Sequence, residues 1–544
     1  MAINHNLTDK ETRKAKIAQI TYATIAVALT IFAIYSNIEK PEEKKDNKTQ
    51  PKTTICTINT LEPTYTQTLE KYATENNAEI LGNNPTCDIT IARNVKDINT
   101  YNRLTTKTYA LVARYDTTLE SITTQELMAL LTTQSNNQKT IVWDTQTDQF
   151  IRSTFESIGV GQRVVQKDEI KQEILKSTNT LAIIPFEEIT LAYKVISIDN
   201  LNPISKDFNT LRYPLIDRYW IKGDENTTKK VSEYIKTTIP ETNINPSQIT
   251  TLTLTGSSAV GSGIQQSLYT TKGIDYINPT IQNLIKESDI AQINNEASLA
   301  TPCVQTENTT KYCTTENNLK LIKDLGFDVV GVNGNHIMDI SYERYQETLQ
   351  WYAKNKLEYY AGGTNSEDAW TPRVVEANKL KFAFIGFNYL YPFSYYATKN
   401  TAGSANVNME IMKTTIEKAK KLADIVVVDM SWGYEYDTDL LSYQTEYANA
   451  AVQYGANIVI GTNSRIYQQT QITDKSMIFY GLGSFLPHTY KDSQSAIYTL
   501  TYYKDKPINL KITPIKLNNQ TVTTLEGSEL DSTLQKVYSN IKIN

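Results

Sequence analysis

The longest apolar stretch of the chain lies near its start. From Ile17 to Ile38 the sequence IAQITYATIAVALTIFAIYSNI contains no charged residue. A helix of that length rises far enough to cross a hydrocarbon core of about 30 Å. Lysines and an arginine precede the stretch and acidic residues follow it, so we predict a cytoplasmic tail at 1–16, a transmembrane helix at 17–38 and an extracytoplasmic body. The alternative is a cleavable signal peptide, whose apolar core is usually only about 7–15 residues long.

Two regions with α/β character follow a polar linker. Residues 39–54 (EKPEEKKDNKTQPKTT) are charged and lack large apolar side chains, which predicts a flexible segment. Residues 55–245 alternate short apolar runs with apolar residues at helical spacing, the pattern of an α/β domain. We expect strands at 87–92, 109–115, 140–143, 181–185 and 195–198, and helices at 126–132, 148–158 and 168–177.

A second α/β domain is predicted at 250–515, where each apolar run stops at a polar cluster that contains glycine. LGFDVVGV at 325–332 ends in NGNH, and DIVVVD at 424–429 ends in MSWGYEY. In α/β folds such clusters collect at one edge of a sheet, where ligand sites form. Residues 516–544 are expected to form a C-terminal extension.

Composition excludes several classes of function. The net charge of −5 argues against a nucleic-acid partner, which needs a basic face. Of the three histidines, only His336 and His488 lie beyond the predicted membrane helix, too few for a histidine-rich two-metal site. An oxygen-only site for magnesium or calcium remains an alternative. Its candidate ligands are Glu296, Asp339, Glu435 and Asp437.

The four cysteines form two local pairs, Cys56 with Cys87 and Cys303 with Cys313. In an extracytoplasmic protein this spacing predicts one disulfide in each domain. Three connectivities are formally open, and reduced thiols are a further alternative. Neither a CxxC nor an HxxxH motif occurs, so we expect no zinc site.

One segment of the first domain carries a family resemblance. LAIIPFEEITLAYKVISIDNLNPI, followed by RYPLIDRYWIKG, resembles the C-terminal part of type II periplasmic solute-binding domains, the phosphate-binding kind in particular. The resemblance implies two lobes with a small anion bound between them. It does not identify the residues that contact the ligand.

The motifs of the second domain resemble a different family. GxxxxGSG after a strand, NNE, GFDVVGVNGNHxxD, SWGYEY, GAxIVIGTNSR and YGLGSF occur in the order typical of the CapA family, proteins of poly-γ-glutamate capsule biosynthesis. The resemblance implies the calcineurin-like metallophosphatase fold, a double sheet flanked by helices. It also implies that other capsule-synthesis membrane proteins are partners.

The chain departs from that family where metal ligands are expected. Members carry an aspartate after the first glycine, a histidine before Trp-Gly, two histidines after the GAxxVIG strand and an asparagine in the final Gly-Asn-Phe. The residues here are Ser257, Ser431, Asn463, Arg465 and Ser484. We therefore predict no metal cofactor, with a divalent manganese, magnesium or calcium ion as the alternative.

The Gly-Asn-His turn is retained. The resemblance implies that Asn335 is a metal ligand and that His336 protonates a leaving group. Asp339 would orient the imidazole if a helix begins at this turn, since residues three apart share a helix face. Alternatively, Asn335 and His336 cap that helix. The catalytic candidates are His336, Asp339, Glu296 and Glu435; the ligand-binding candidates are Asn335, Asn295, Trp432, Tyr436, Ser257, Asn463 and Arg465.

These features predict a membrane-anchored protein that takes part in the assembly of a capsular or other cell-envelope polymer. In the leading interpretation, the second domain binds polymer and has lost two-metal hydrolysis. One alternative is a hydrolase or transferase on an anionic polymer that uses His336 as acid and Glu296 or Glu435 as base. Another is a receptor that binds a small anion through the first domain.

Overall fold

The computed structural model describes Thr21 and residues 52–543, with gaps at 85, 96, 133–138, 156–157, 159–162, 306–308, 474, 490–494 and 519. The predicted cytoplasmic tail, nearly all of the predicted membrane helix and most of the predicted linker lie outside the described residues. Among the helices that are described, none is long and apolar enough to cross a bilayer.

The first domain is built on a mixed sheet to which the described residues contribute nine strands. Across the sheet the order is Ala78–Ile80, Thr53–Ile58, Ile89–Arg93, Ile216–Gly223, Asn102–Arg114, Thr180–Pro185, Thr140–Asp144 and Arg163–Val165, with Tyr193–Val195 also paired to Asn102–Arg114. The long strand Asn102–Arg114 joins two halves, because its start pairs with Ile216–Gly223 and its end with Thr180–Pro185.

Helices cover both halves of this sheet. They are Pro63–Glu75, Thr124–Thr132, Thr145–Thr154, Ile170–Lys176 and Glu225–Lys236. The α/β class is confirmed. The helix expected at 148–158 ends at Thr154, where Phe155 takes an extended conformation. The apolar pattern did not reveal Glu225–Lys236, because this helix buries only Thr228, Val231 and Ile235.

The second domain contains two facing sheets, each with seven strands among the residues described. The first sheet has the order Glu358–Tyr360, Val329–Gly331, Ile290–Asn294, Ile249–Leu254, Ser495–Tyr503, Lys506–Leu517 and Val522–Thr524. The second has the order Arg373–Ala377, Leu380–Asn388, Ile425–Ser431, Ile458–Thr462, Met477–Phe479, Thr470–Ile472 and Ile541–Ile543. Residues beyond 515, predicted to be an extension, supply an edge strand to each sheet.

An apolar core fills the space between the two sheets. Leu252 and Val329 of the first sheet share this core with Phe382, Val427 and Ile460 of the second. Helices pack on both outer faces. They are Ile264–Lys272, Pro279–Lys286, Glu316–Leu325, Tyr342–Lys354, Ser366–Ala369, Met409–Lys420, Ser442–Tyr454 and Gly527–Ser539. This is the flanked double sheet that the family resemblance implies.

Both predicted disulfides are present. Cys56 bonds to Cys87 with 5.7 Å between the Cα atoms, and Cys303 bonds to Cys313 with 5.8 Å. These separations lie within the usual range for a disulfide. One bridge therefore links two segments at the start of the first domain, and the other closes a short loop in the second.

Candidate functional site

The candidate residues of the second domain follow the carboxyl ends of four parallel strands. Glu296 comes just after Ile290–Asn294, and the turn that contains His336 follows Val329–Gly331. In the facing sheet, Glu435 follows Ile425–Ser431, while Asn463 and Arg465 follow Ile458–Thr462. The first two strands are parallel neighbours and so are the last two, so their polar ends meet at one edge of the sandwich.

Arg465 joins the two halves of this site. Its Nη2 lies 3.5 Å from Oε2 of Glu296 and 3.3 Å from Oε1 of Glu435. Arg465 and Glu296 are 2% and 1% exposed, whereas Glu435 is open to solvent. Burial alone would lower the pKa of Arg465, but the two carboxylates outweigh burial and raise it, so the guanidinium stays charged.

The loop that carries Arg465 has an unusual backbone. Asn463 and Arg465 have φ angles of 82° and 63°, in the left-handed region. Two hydrogen bonds hold this conformation. The backbone N–H of Asn463 donates to Oγ of Ser257 at 2.7 Å, and the hydroxyl of Ser484 donates to the backbone carbonyl of Arg465 at 2.9 Å. Ser257 and Ser484, two positions where the chain departs from the family, therefore position the guanidinium.

Glu296 lies directly against the Gly-Asn-His turn. Gly334 has a φ of 129°, and a Cβ at this position would lie 2.8 Å from Cγ of Glu296. Only glycine allows the turn to approach the carboxylate so closely. Burial raises the pKa of the Glu296 carboxyl, an effect that the Arg465 guanidinium partly offsets.

His336 and Asp339 meet, but without the helix proposed from their spacing. Nδ1 of His336 lies 2.6 Å from Oδ2 of Asp339, within a turn in which the Asp339 amide donates to the His336 carbonyl. The helix starts later, at Tyr342, and its N-cap is Ser341. The alternative that Asn335 and His336 cap this helix is therefore wrong.

Tyr312 is a site residue that the sequence reasoning missed. Its ring stacks on His336 with 3.8 Å between centroids and on His488 with 4.5 Å. Its backbone amide donates to Oδ2 of Asp339 at 2.8 Å. Tyr312 precedes Cys313, so the disulfide loop places its ring at the site. An aromatic residue next to that cysteine was the sequence feature that could have indicated this role.

Some ligand-binding candidates have structural roles instead. Trp432 is fully buried, and its indole N–H donates to the Tyr480 carbonyl at 2.8 Å, so it packs in the core and does not face a ligand. The Asn295 side chain is buried and donates to the hydroxyl of Tyr352 at 2.8 Å. By contrast, Tyr436 is 47% exposed beside Glu435.

Several polar atoms at the site are buried without a hydrogen-bond partner. The acceptors are Oε1 of Glu296, Oδ1 of Asn335 and Oδ1 of Asn463, the donor is Nη1 of Arg465, and Oγ of Ser431 can act as either. An unpartnered buried polar atom costs about 1–3 kcal/mol. Except for Glu296, these residues occupy positions where the family resemblance implies metal ligands.

The residues do not fit the metal centre implied by the family. Among the residues described, no three His, Cys, Asp or Glu side chains are grouped so that they could hold an ion. The oxygen-only site is not assembled either: Oδ2 of Asp339 faces His336, and Oδ1 of Asp437 accepts from the Asp439 amide. Arg465 adds a fixed positive charge between Glu296 and Glu435.

A buried carboxylate, also missed from the sequence, underlies the site. Asp429 accepts hydrogen bonds from the hydroxyl of Tyr360 at 2.9 Å and from the hydroxyl of Thr462 at 3.2 Å. Burial raises its pKa to about 6, more than these hydrogen bonds lower it.

In the first domain, the cleft between the two halves of the sheet contains a carboxylate of the protein itself. Oε1 of Glu62 accepts from Nζ of Lys107 at 3.0 Å, from the hydroxyl of Tyr109 at 3.4 Å and from Nε2 of Gln146 at 3.4 Å. Glu62 and Gln146 lie at the starts of two helices, where negative charge is stabilised. The Glu62 side chain therefore occupies the polar centre of this cleft.

Comparison with known proteins finds relatives of the second domain. Residues 251–489 match the family model for the bacterial capsule synthesis protein PGA_cap. The PGA biosynthesis protein CapA of Bacillus subtilis is 28% identical over 264 residues, which cover 48% of this chain and 70% of that protein. The capsule biosynthesis protein CapA of Bacillus anthracis is 28% identical over 249 residues, covering 43% of this chain and 59% of the relative.

Solved structures resemble separate parts of the chain. An ABC-type phosphate transport receptor from Vibrio cholerae is 16% identical, with a TM-score of 0.27, and covers 34% of this chain and 93% of its own. A 5'-nucleotidase precursor from Thermus thermophilus is 10% identical, with a TM-score of 0.31, and covers 54% of this chain and 58% of its own. Similarities this distant carry no weight beside the family match. Residues 251–489 are therefore similar to the bacterial capsule synthesis proteins of the CapA family.

Proposed function

We propose that this protein takes part in assembling a capsular polymer, poly-γ-glutamate or another cell-envelope polymer, and that its second domain binds polymer without two-metal hydrolysis. The match over residues 251–489 and the names of the two Bacillus relatives support a role in capsule synthesis. We do not assign the complete activity of those relatives to this protein, because its first domain lies outside the matched residues.

The position of Arg465 is the observation that best supports the proposed loss of metal chemistry. Its guanidinium lies within 3.5 Å of Glu296 and 3.3 Å of Glu435, the acidic residues at family positions. A guanidinium stays protonated in proteins, and this one already faces Oε2 of Glu296 and Oε1 of Glu435, two oxygens that a metal ion would need as ligands. Ser431 and Asn463 also replace imidazoles with side chains that bind transition metals weakly.

An active hydrolase or transferase is the second candidate, and one contact favours it. The bond of 2.6 Å between His336 and Asp339 orients the imidazole as a general acid requires. Tyr312 stacks on one face of that ring.

One experiment separates these candidates. The purified protein is analysed for bound metals and assayed on a generic phosphoester with and without manganese. We expect less than one metal ion per ten molecules. Turnover by the wild type should be at background and should not change in His336→Ala. Stoichiometric metal together with activity lost in His336→Ala would establish the enzyme. Binding of long poly-γ-glutamate, measured in parallel, tests the polymer role.

We also propose that residues 17–38 anchor the protein in the membrane with its body outside the cytoplasm. The uncharged stretch and its flanking charges support this. The full chain is expected to stay with membranes after an alkaline carbonate wash, and protease added outside spheroplasts should degrade its body. Release by carbonate would contradict the anchor, and protection from protease would contradict the orientation.

The receptor alternative finds less support. A free anion in the first domain's cleft would have to displace the Glu62 carboxylate from Lys107 and Gln146. The protein therefore supplies its own anion to the groups that would bind one. We therefore expect that the first domain does not sense phosphate.

A further inference from the structure

We propose that the site around Glu296 and Arg465 recognises the amino end of a peptide-like chain, an ammonium group with a carboxylate or carbonyl oxygen beside it. This inference rests on the proposed function and deepens it, because it assigns the end of the polymer, and not its repeating backbone, to the site.

The unpartnered acceptors of the site match an ammonium group. Oε1 of Glu296, Oδ1 of Asn335 and Oδ1 of Asn463 are buried and accept no hydrogen bond. A primary ammonium has three N–H donors and no acceptor, so three oxygens can satisfy it completely. The neighbouring contacts orient these atoms: Oε2 of Glu296 faces Arg465, and Nδ2 of Asn463 donates to the Gly433 carbonyl.

The remaining donor fits the second part of the ligand. Nη1 of Arg465 is buried without a partner, while its Nη2 lies near Glu296 and Glu435. A carboxylate or carbonyl oxygen next to the ammonium would accept from Nη1, as guanidinium groups commonly bind carboxylates. Both groups are carried by one carbon at the amino end of a γ-linked glutamate chain.

The charges of the site favour this end over the rest of an anionic polymer. Glu296 and Glu435 both lie beside the Arg465 guanidinium, and Asp339 lies near enough to Glu296 to interact with it electrostatically, so the acidic side chains near Glu296 outnumber this cation. This excess repels the carboxylates of a polymer backbone and attracts a terminal cation. Tyr434 and Tyr436, on either side of Glu435 in the sequence, are 67% and 47% exposed.

Calorimetry on the full chain in detergent tests the inference. The probes are a γ-linked glutamate trimer with a free amino end, the same trimer after N-acetylation, an alanine tripeptide, and long poly-γ-glutamate. We expect the free trimer to bind at least tenfold more tightly than the acetylated one, because acetylation removes the charge and two donors. Glu296→Gln and Asn335→Ala should each remove most of this difference, whereas Leu211→Ala, an exposed substitution in the first domain, should preserve it.

Other outcomes overturn one or both ideas. Equal binding of the free and acetylated trimers refutes amine recognition and leaves polymer binding intact, as does binding of long polymer alone. If only the alanine peptide binds in an amine-dependent way, end recognition holds and γ-linked glutamate is the wrong polymer. A failure of every probe refutes both proposals. Magnesium, calcium or manganese bound at one ion per chain and lost in Glu296→Gln would make this an ion site instead.

Discussion

The phenol ring of Tyr312 stacks on the imidazole of His336, with 3.8 Å between the ring centroids and 20° between their planes. Tyr312 belongs to the loop closed by Cys303 and Cys313, and its amide donates to Asp339, the partner of His336. A disulfide loop and the Gly-Asn-His turn are therefore a single packed unit. The site is bordered by a segment whose position depends on an oxidised cysteine pair.

Tyr312→Ala should lower the free energy of unfolding by about 1–3 kcal/mol, because it removes two aromatic stacks, each worth roughly 0.5–1.5 kcal/mol. Tyr312→Phe keeps both rings in contact and should match the wild type. Urea unfolding of the two variants measures the difference. If Phe destabilises as much as Ala, the stacking contributes little and the hydroxyl is what matters.

Arg465→Met should destabilise the protein by about 3–5 kcal/mol, because it leaves the buried Glu296 carboxylate without its cation. The double variant Arg465→Met with Glu296→Gln should recover most of that loss, since no buried charge then remains. Arg152→Met is the matched control: it removes an arginine whose ion pair with Asp148 is exposed, and should cost less than about 1 kcal/mol. Additive effects in the double variant would contradict the coupling.

Restoring imidazoles should restore metal affinity. The triple variant Ser431→His, Asn463→His and Arg465→His removes the fixed cation and returns ligands at three family positions. We expect it to bind at least one manganese or zinc ion, measured by elemental analysis after gel filtration. Arg465→Met alone, which lacks the new ligands, should bind none. Wild-type protein that already binds as much metal as the triple variant would refute the lost-metal interpretation.

The buried Asp429 should make stability depend on pH. Burial raises its pKa in the folded state to about 6, above the ordinary value of 3.8. Its contribution to stability is therefore fully present below about pH 3.8 and is lost as the pH rises through about 6. At pH 7.5, the free energy of unfolding of Asp429→Asn should be about 1–3 kcal/mol higher than that of the wild type, as measured by urea unfolding. At pH 4 the two should be nearly equal; the same difference at both pH values would contradict the assignment.

Removing the internal carboxylate should turn the first domain's cleft into an anion site. In Glu62→Ala, Lys107 and Gln146 lose their acceptor and become free to bind a small anion. Phosphate or sulfate should then raise the melting temperature of the variant by mass action, but not that of the wild type. Glu62→Ala with Lys107→Met should lose the effect. A phosphate-dependent shift in the wild type would instead favour the receptor.

The sequence by itself predicted the α/β class, the resemblance of the second domain to capsule synthesis proteins and the two disulfides, because these depend on features that are local along the chain. Apolar runs that stop at glycine-containing polar clusters indicate where strands end. Two cysteines in the same domain are natural partners for a disulfide. Tyr345, Leu349 and Tyr352 lie at helical spacing in the sequence, and all three are buried. Such patterns can be recognised without knowing which distant residues are in contact.

Only the tertiary structure decided which polar groups meet at the site. Arg465 and Glu296 are 169 residues apart, and Tyr312 reaches His336 only because its loop folds back over the strand ends. Trp432 has the neighbours of a surface residue in sequence, yet it lies in the core. Partners, burial and charge balance arise from contacts between separate strands of two sheets. For that reason, the sequence could show which positions differ from the pattern of the resembling family but not that an arginine lies between Glu296 and Glu435.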